Sequence, residues 1–204
     1  PKAVIRLARD GRRETRTVPL DELEAHCRDG EGVESIELYH PAALLEGGVA
    51  LLDTPGIDST DDAHKLATES ALHLADVVCY VMDYNHVQSE INFEFAKRLT
   101  DRGKPLVLIV SQVDKHREAE LPFAAYRASV ETAFADWNLK PDAILYISNR
   151  RPDHPYDQFG PLKELLAGIA RMKEELGLYS ILNSARHLIA EHGRWLESRS
   201  EGER

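Results

Sequence analysis

Three unbroken apolar runs constrain this chain more than anything else in it. Val77–Met82, Pro105–Val110 and Ala143–Ile147 show no polar alternation, which is the signature of strands buried on both faces. Between and after them lie stretches with helical spacing: Glu90–Leu99, with Phe93 and Phe95 as bulky packing residues, then Pro122–Trp137 and Pro161–Leu176. Strands of this kind alternating with helices predict an α/β fold, a mostly parallel sheet with helices on both faces. Apolar residues make up 43% of the 204, enough for such a core and too many for a disordered chain.

The first fifty residues follow a different pattern. Ala3–Ala8 is short and β-branched, Asp10-Gly11 is a turn signal, and Glu14–Val18 alternates, so a β-hairpin is predicted. A short helix over Leu20–Cys27 and a half-buried strand over Val33–Tyr39 follow. Gly47-Gly48 turns the chain into Val49–Leu52, a further apolar strand that ends at Asp53, and Ala63–Leu74 has helical spacing. At the far end, Leu178, Leu182, Ala185, Ile189, His192 and Leu196 are spaced 4, 3, 4, 3, 4 within a helix over Leu178–Arg199. That is a heptad seam. It suits either an amphipathic helix lying on the domain's own core or the root of a helical bundle. The chain opens on Pro1 and closes on a polar segment without a capping signal, so it is expected to be a piece of something longer.

Charge and composition exclude several classes. Lys and Arg total 25 against 35 Asp and Glu, a net charge of −10. A nucleic-acid binder held by a general electrostatic field is excluded, and a polybasic membrane surface is disfavoured. No apolar stretch approaches the roughly 18 residues that a bilayer span needs. Cys27 and Cys79 are far apart with no CxxC, which reads as reduced thiols. Nine histidines show no HxxxH or HxxEH spacing, and no GxSxG elbow or Cys–His dyad occurs. Trp137 and Trp195 read as packing residues.

Three polar clusters sit where apolar strands end, the edge at which open α/β sheets bind ligands. In Asp53-Thr54-Pro55-Gly56, the Asp can hold Mg²⁺ through water and the Gly lets a backbone N–H approach a terminal phosphate. In Ser111-Gln112-Val113-Asp114-Lys115, the Asp114 carboxylate can accept two hydrogen bonds from the N1–H and exocyclic amine of guanine. Adenine lacks that donor pair. The stem of Gln112 can lie on the base. In Ser148-Asn149-Arg150-Arg151, Ser148 and Asn149 can reach base or ribose. Asp58, Asp61 and Asp62 read as a solvated loop with Ser59 or Asp61 as a helix N-cap.

About 60 residues separate Asp53 from Asp114, and 34 more lead to Ser148. Together the clusters resemble the GTPase domain of the dynamin superfamily, in particular its bacterial dynamin-like members, over residues 1–176. Asp53-Thr54-Pro55-Gly56 resembles the family's DxPG motif. Ser111-Gln112-Val113-Asp114 resembles its (T/N)KxD motif, and Ser148-Asn149-Arg150 stands where its fifth motif lies. Leu38-Tyr39-His40-Pro41 resembles the stretch just upstream of DxPG, and residues 177–204 resemble the helix that joins the domain to a helical bundle. The resemblance implies a GTP/GDP-binding hydrolase with Mg²⁺. Asp53, Thr54, Gly56, Gln112, Asp114, Ser148 and Asn149 would bind the nucleotide, with Asp53 on the metal and no catalytic side chain supplied. It also implies a G-domain homodimer across the nucleotide face, a helical bundle of the same protein as partner, no nucleic acid, a cytoplasmic location, and membrane contact through other regions.

The departures are as informative. Ser111 stands where the family has Asn or Thr, and Gln112 where it has Lys, which predicts weaker guanine selectivity. Ile57, after Gly56, is apolar as in dynamins and is not catalytic. No GxxxxGK[ST] occurs in the 204 residues, and the switch I Thr is missing. In this family the first strand lies between the DxPG strand and the Val77 strand. Without it two rows of backbone groups would stand unpaired inside an apolar sheet. An upstream segment, another chain or a rearrangement must then fill the gap, and this stretch alone should bind nucleotide poorly. The alternative function is a GTPase-like interaction or scaffold module without turnover. A small Era- or septin-like GTPase fits the motifs but neither the hairpin nor the heptad tail.

Overall fold

A computed structural model describes residues 1–9, 12–27, 33–54 and 72–202. Its contacts divide the chain into two compact units, Pro1–Leu51 and Leu52–Arg204.

The first unit is the predicted hairpin with one strand added. β1 (Lys2–Arg9) pairs antiparallel with β2 (Arg12–Pro19), in a register running from Lys2 opposite Pro19 to Arg9 opposite Arg12. The turn residues Asp10 and Gly11 lie outside the described residues. β3 (Val33–Tyr39) pairs antiparallel with the other side of β1 and slips register between Arg6 and Leu7. Alternation sends Ala3, Ile5 and Leu7 of β1 to one face, where Val18 joins them as a small buried cluster. Leu20 of a 3₁₀ turn (Leu20–Glu22) and Leu23 of α1 (Leu23–Cys27) cover it. The cover does not reach Ile36 and Leu38, which lie across from Ile5 and Ala3 and stay exposed. On the opposite face Arg6 pairs with Glu37, which also accepts a 2.8 Å hydrogen bond from the Tyr39 hydroxyl.

The second unit holds the parallel sheet, in the order β4 (Val78–Asp83), β5 (Leu106–Ser111), β6 (Ala143–Tyr146). The central strand β5 divides its side chains between two cores. Leu106, Leu108 and Val110 join Met82, Tyr146 and residues of α2 (Glu90–Asp101) and α3 (Phe123–Asp136). Val107 and Ile109 face the other way, onto Leu162 and Leu165 of α4 (Phe159–Arg171). Helices therefore cover both faces, and the α/β class follows directly from the unbroken apolar runs. α2 is started by Ser89, whose Oγ accepts from the Asn92 amide, and it buries Phe93, Phe95, Ala96 and Leu99. Phe93 stacks on Trp137 at 5.2 Å and meets Phe134 edge-on at 5.0 Å, so Trp137 is a packing residue as expected.

Three local expectations change. Val49–Leu52 is not a strand, and Leu51 and Leu52 are exposed. Among the described residues this segment pairs with no other strand, and the outer side of β4 is likewise unpaired. Pro161–Leu176 is not one helix. The chain leaves helical geometry at Met172 (φ −95°, ψ 17°), and α5 (Lys173–Gly202) starts afresh. The break redirects the chain so that Ser180 and Asn183 reach the loop after α2, where the Asn183 amide donates to the Gly103 carbonyl at 3.0 Å. Trp195 stacks on His192 but remains half exposed. Of the helix over Ala63–Leu74, only Leu72–Leu74 is described, and it is helical.

Candidate functional site

The C-terminal ends of the three parallel strands lie side by side, because parallel pairing brings equivalent ends to one edge. β4 ends in Asp83 and β5 in Ser111, and Ile147-Ser148 follows β6. Ser111 Oγ donates to the Met82 carbonyl at 3.0 Å, and the Tyr84 amide donates to the Ser111 carbonyl at 3.1 Å. Both bonds fasten the first two strand ends together.

Beyond Ser111 the backbone turns hard. Gln112 adopts φ 63°, ψ 36°, the left-handed region that side chains rarely occupy. Such strain persists only where surroundings over-determine it. Here Val113, fully buried, donates its amide to the Ile147 carbonyl at 3.1 Å, and a 3₁₀ turn (Val113–Lys115) follows. The Ile147 amide in turn donates to Val110 at 2.8 Å. The loop after β5 and the loop after β6 are thus held as one piece.

That piece brings Asp114 and Ser148 together. Ser148 Oγ, almost wholly buried, donates to Asp114 Oδ1 at 2.6 Å and accepts from the amides of Arg150 (3.3 Å) and Arg151 (3.0 Å). The Ser148 amide donates to Asp157 Oδ1 at 2.8 Å, and Asp157 Oδ2 accepts from the Phe159 amide at the start of α4. The Ser148 hydrogen bond, helped by the charges of Arg150 and His154, holds the Asp114 carboxyl below the usual carboxylate range despite some desolvation. A half-buried, ionised acceptor therefore stands at the sheet edge. Gln112 is half-buried beside it in sequence, and Asn149 is exposed.

Asp53 and Thr54 are in coil, Asp53 exposed and Thr54 half-buried. Among the described residues no hydrogen bond or ion pair joins either to the Asp114–Ser148 pair. Pro55, Gly56, Ile57, Ser59, Asp58, Asp61 and Asp62 lie outside the described residues. No cluster of three His, Cys, Asp or Glu able to hold a metal occurs among the described residues. A lone exposed carboxylate such as Asp53 still fits Mg²⁺, which takes one or two protein carboxylates and fills its shell with water and phosphate oxygens.

Two features of the edge escape sequence reasoning. Lys115 Nζ pairs with Asp83 Oδ2 at 3.1 Å, and Asp83 Oδ1 accepts from the Asn85 amide at 2.8 Å. Burial pushes the Asp83 carboxyl up, but the Asn85 amide and Lys115 outweigh it and its pKa is lowered. An acidic residue ending an apolar run is the same signal that marks Asp53. The second is a brace around His116. Its Nδ1 meets the Tyr84 hydroxyl at 2.7 Å and its Nε2 meets Glu118 Oε2 at 3.3 Å. The same Glu118 oxygen accepts from the Tyr156 hydroxyl at 2.6 Å and from the Phe123 amide at 3.1 Å. No spacing rule finds this group, because its members come from four separate segments.

A family model described as the dynamin family matches residues 6–114, from β1 to Asp114. That is more than half of the chain. The chain belongs to the dynamin family. Its sequence is 37% identical over 186 residues to "Dynamin-like protein A" of Bacillus subtilis, covering 91% of this chain and 16% of that protein. It is 27% identical over 179 residues to "GTPase Der" of Solidesulfovibrio magneticus, covering 78% of this chain and 38% of the other. In structure it resembles a chain of an oligomerised bacterial dynamin pair described in connection with long-range sensing and tethering of membranes. The TM-score is 0.58 at 11% identity, over 98% of this chain and 38% of that one. That likeness is one of fold. The dynamin-family chain spans about a sixth of the length of its Bacillus relative. Among its described residues no helix is long and apolar enough to cross a membrane.

Proposed function

We propose that this chain is the guanine-reading part of a dynamin-like GTPase that works in membrane remodelling. The observation that carries the reading is the Asp114–Ser148 pair at the C-terminal edge of a parallel sheet. A fixed, ionised carboxylate can accept from both the N1–H and the exocyclic amine of guanine, a donor pair that adenine does not offer. Ser148 keeps that carboxylate charged and oriented. Gln112 covers the base with its aliphatic stem, and Asn149 reaches base or ribose. Thr54 and Gly56 would bind the terminal phosphate, Gly56 through its N–H, and Asp53 would hold Mg²⁺ through water. The ion, when bound, neutralises charge developing on the phosphates as water attacks in line.

The reading extends to assembly. Residues 1–176 form the GTPase domain, and 177–204 begin a helix whose apolar stripe continues into a helical bundle of the same protein. Leu178, Ile181, Leu188 and Ile189 support this, because all four lie exposed on α5. The nucleotide face pairs with a second GTPase domain, and other regions of the protein meet the membrane from the cytoplasm.

A second reading, an interaction module without turnover, is favoured by the lack of a GxxxxGK[ST] among the 204 residues and by an outer side of β4 that is unpaired among the described residues. One experiment separates the two. Labelled GTP and ATP are titrated into the intact protein with Mg²⁺, and hydrolysis is followed. The enzyme reading expects GTP preferred over ATP, turnover, and loss of the preference in Asp114→Ala. Absence of both binding and turnover favours the module. Turnover with no loss of preference in Asp114→Ala removes Asp114 from base recognition.

A further inference from the structure

The loop between α2 and β5 lies at the opposite end of the sheet from Asp114. There the C-terminal end of α2 faces the middle of α5 across a cleft of about 700 Å³. The cleft floor is fastened by polar contacts that do not use its charged rim. The Asn183 amide donates to the Gly103 carbonyl, and Lys104 Nζ donates to the Ala75 carbonyl at 2.7 Å and to Ser180 Oγ at 3.2 Å. Gly103 sits at φ 68°, and a Cβ there would come within 3.1 Å of Asn183. Glycine thus permits both the turn and the close approach of the two elements.

The rim is basic. Arg98 and Arg102 come from the α2 side, and Arg186 and Arg194 from α5, with His187 beside Arg186. Two carboxylates also line the cleft, and both are engaged. Asp101 pairs with Lys97 at 2.6 Å and Glu191 pairs with Arg194. Arg98, Arg102 and Arg186 form no ion pair among the described residues, although the charge of Arg102 adds to the Arg194 hydrogen bond and the charges of Arg194 and His187 in holding the Glu191 carboxyl below its ordinary range. Arg98 instead lies 5.5 Å over the Phe95 ring. Three guanidinium groups converging on one cleft repel each other. Four guanidinium groups against two carboxylates leave the cleft with an excess of positive charge in a chain of net charge −10, and such a local field draws anions.

We propose that this cleft binds a phosphate-bearing anion, held by Arg98 and Arg102 from one wall and Arg186 from the other. Guanidinium forks match phosphate oxygens in pairs, and a multiply charged phosphate can meet several forks at once. The volume exceeds a single phosphate and suits a diphosphate or a phosphorylated headgroup. Because the two walls belong to different helices, an anion in the cleft ties α5 to the body of the second unit. This site stands on different residues from the guanine-reading edge and does not depend on it.

Arginine footprinting with phenylglyoxal, resolved residue by residue by mass spectrometry, tests the site in the intact protein. The probes are inorganic pyrophosphate, vesicles of phosphatidylglycerol, and vesicles of phosphatidylcholine as the uncharged comparison. Modification of Arg98, Arg102 and Arg186 is expected to slow several-fold under pyrophosphate or phosphatidylglycerol, while exposed Arg12 on β2 serves as the internal reference. Protection by pyrophosphate assigns a soluble phosphate ester. Protection by phosphatidylglycerol vesicles alone assigns a lipid headgroup. In the Arg102→Gln, Arg186→Gln double variant, the concentration that half-protects Arg98 should rise about tenfold or more, the scale of lost charged hydrogen bonds. The substitutions are on the rim, so the thermal melt should match that of the parent. Protection by neither anionic probe, or protection of Arg98 unchanged in a normally melting double variant, overturns the proposal.

Discussion

Ser148 shows how much one buried hydroxyl can decide. It donates to Asp114 and accepts from two amides of the next turn, so Ser148→Ala removes a donor from a half-buried carboxylate and an acceptor from two part-buried N–H groups. A loss of roughly 1–3 kcal/mol of stability at neutral pH is expected, read by denaturant unfolding. The sign with pH follows from the lowered Asp114 pKa. A depressed carboxylate contributes stability above its unfolded value, near 4, and loses it as pH falls through the folded value. The part of the Ser148→Ala deficit that comes from Asp114 should therefore shrink below about pH 4, and the Asp114 carboxyl resonance in the variant should titrate closer to its ordinary value. Tyr146 is the opposite case. Its buried hydroxyl makes no hydrogen bond of good geometry among the described residues, and burial, only partly offset by the Arg127 guanidinium, pushes its pKa up to about 12. Tyr146→Phe should leave stability unchanged or raise it by up to about 1 kcal/mol; a loss larger than that would mean the hydroxyl is satisfied. Asp114 and Ser148 were legible because acceptors at strand ends have a spacing. The left-handed Gln112, the Lys115–Asp83 pair and the His116 brace were not, since each is set by which strands and loops become neighbours in space.

At the scale of elements, the legible parts are those whose partners are within the chain. The three unbroken runs became β4, β5 and β6, and the hairpin formed with its paired register, because each finds a neighbouring strand. Val49–Leu52 has the same apolar character and no strand beside it among the described residues, so apolar content alone did not make it a strand. The break at Met172 was hidden for a related reason. Helical spacing runs through Pro161–Leu176, but the segment before Met172 is committed to β5 and β6 while the one after it is committed to the α2 end. α5 then carries its apolar stripe into solvent, and that has a measurable consequence. Ile189 is 73% exposed while Leu108 is fully buried at the centre of the sheet. Ile189→Glu should cost less than about 0.5 kcal/mol in this chain, whereas Leu108→Ala should cost about 2–5 kcal/mol, both by denaturant unfolding. A large cost at Ile189 would mean that the stripe is already covered and would remove the support it lends to a bundle.

For the whole molecule, the decisive feature is the outer edge of β4, which no strand pairs with among the described residues. The Val78 amide donates to Pro105 and the Tyr84 amide to Ser111, so the even-numbered amides of β4 point at β5 and the odd-numbered ones point away. Cys79, Val81 and Asp83 therefore present a row of donors with no strand partner among the described residues, on a strand whose Val81 side chain is 56% exposed. A parallel sheet with an open apolar edge is an unusual end state, since parallel strands are normally enclosed and open edges invite pairing. Hydrogen exchange reads this directly. In the 204-residue chain, the amides of Cys79 and Val81 should exchange on the order of a hundredfold faster than those of Tyr80 and Met82, which local opening must first expose. In the intact protein the same comparison distinguishes the two functional readings. If a strand lies against β4 there, Cys79 and Val81 become as slow as their neighbours and the sheet is completed as a GTPase requires. If they remain fast while Tyr80 and Met82 stay protected, the edge is open in the working molecule, and the interaction-module reading gains a surface on which a partner's strand can add.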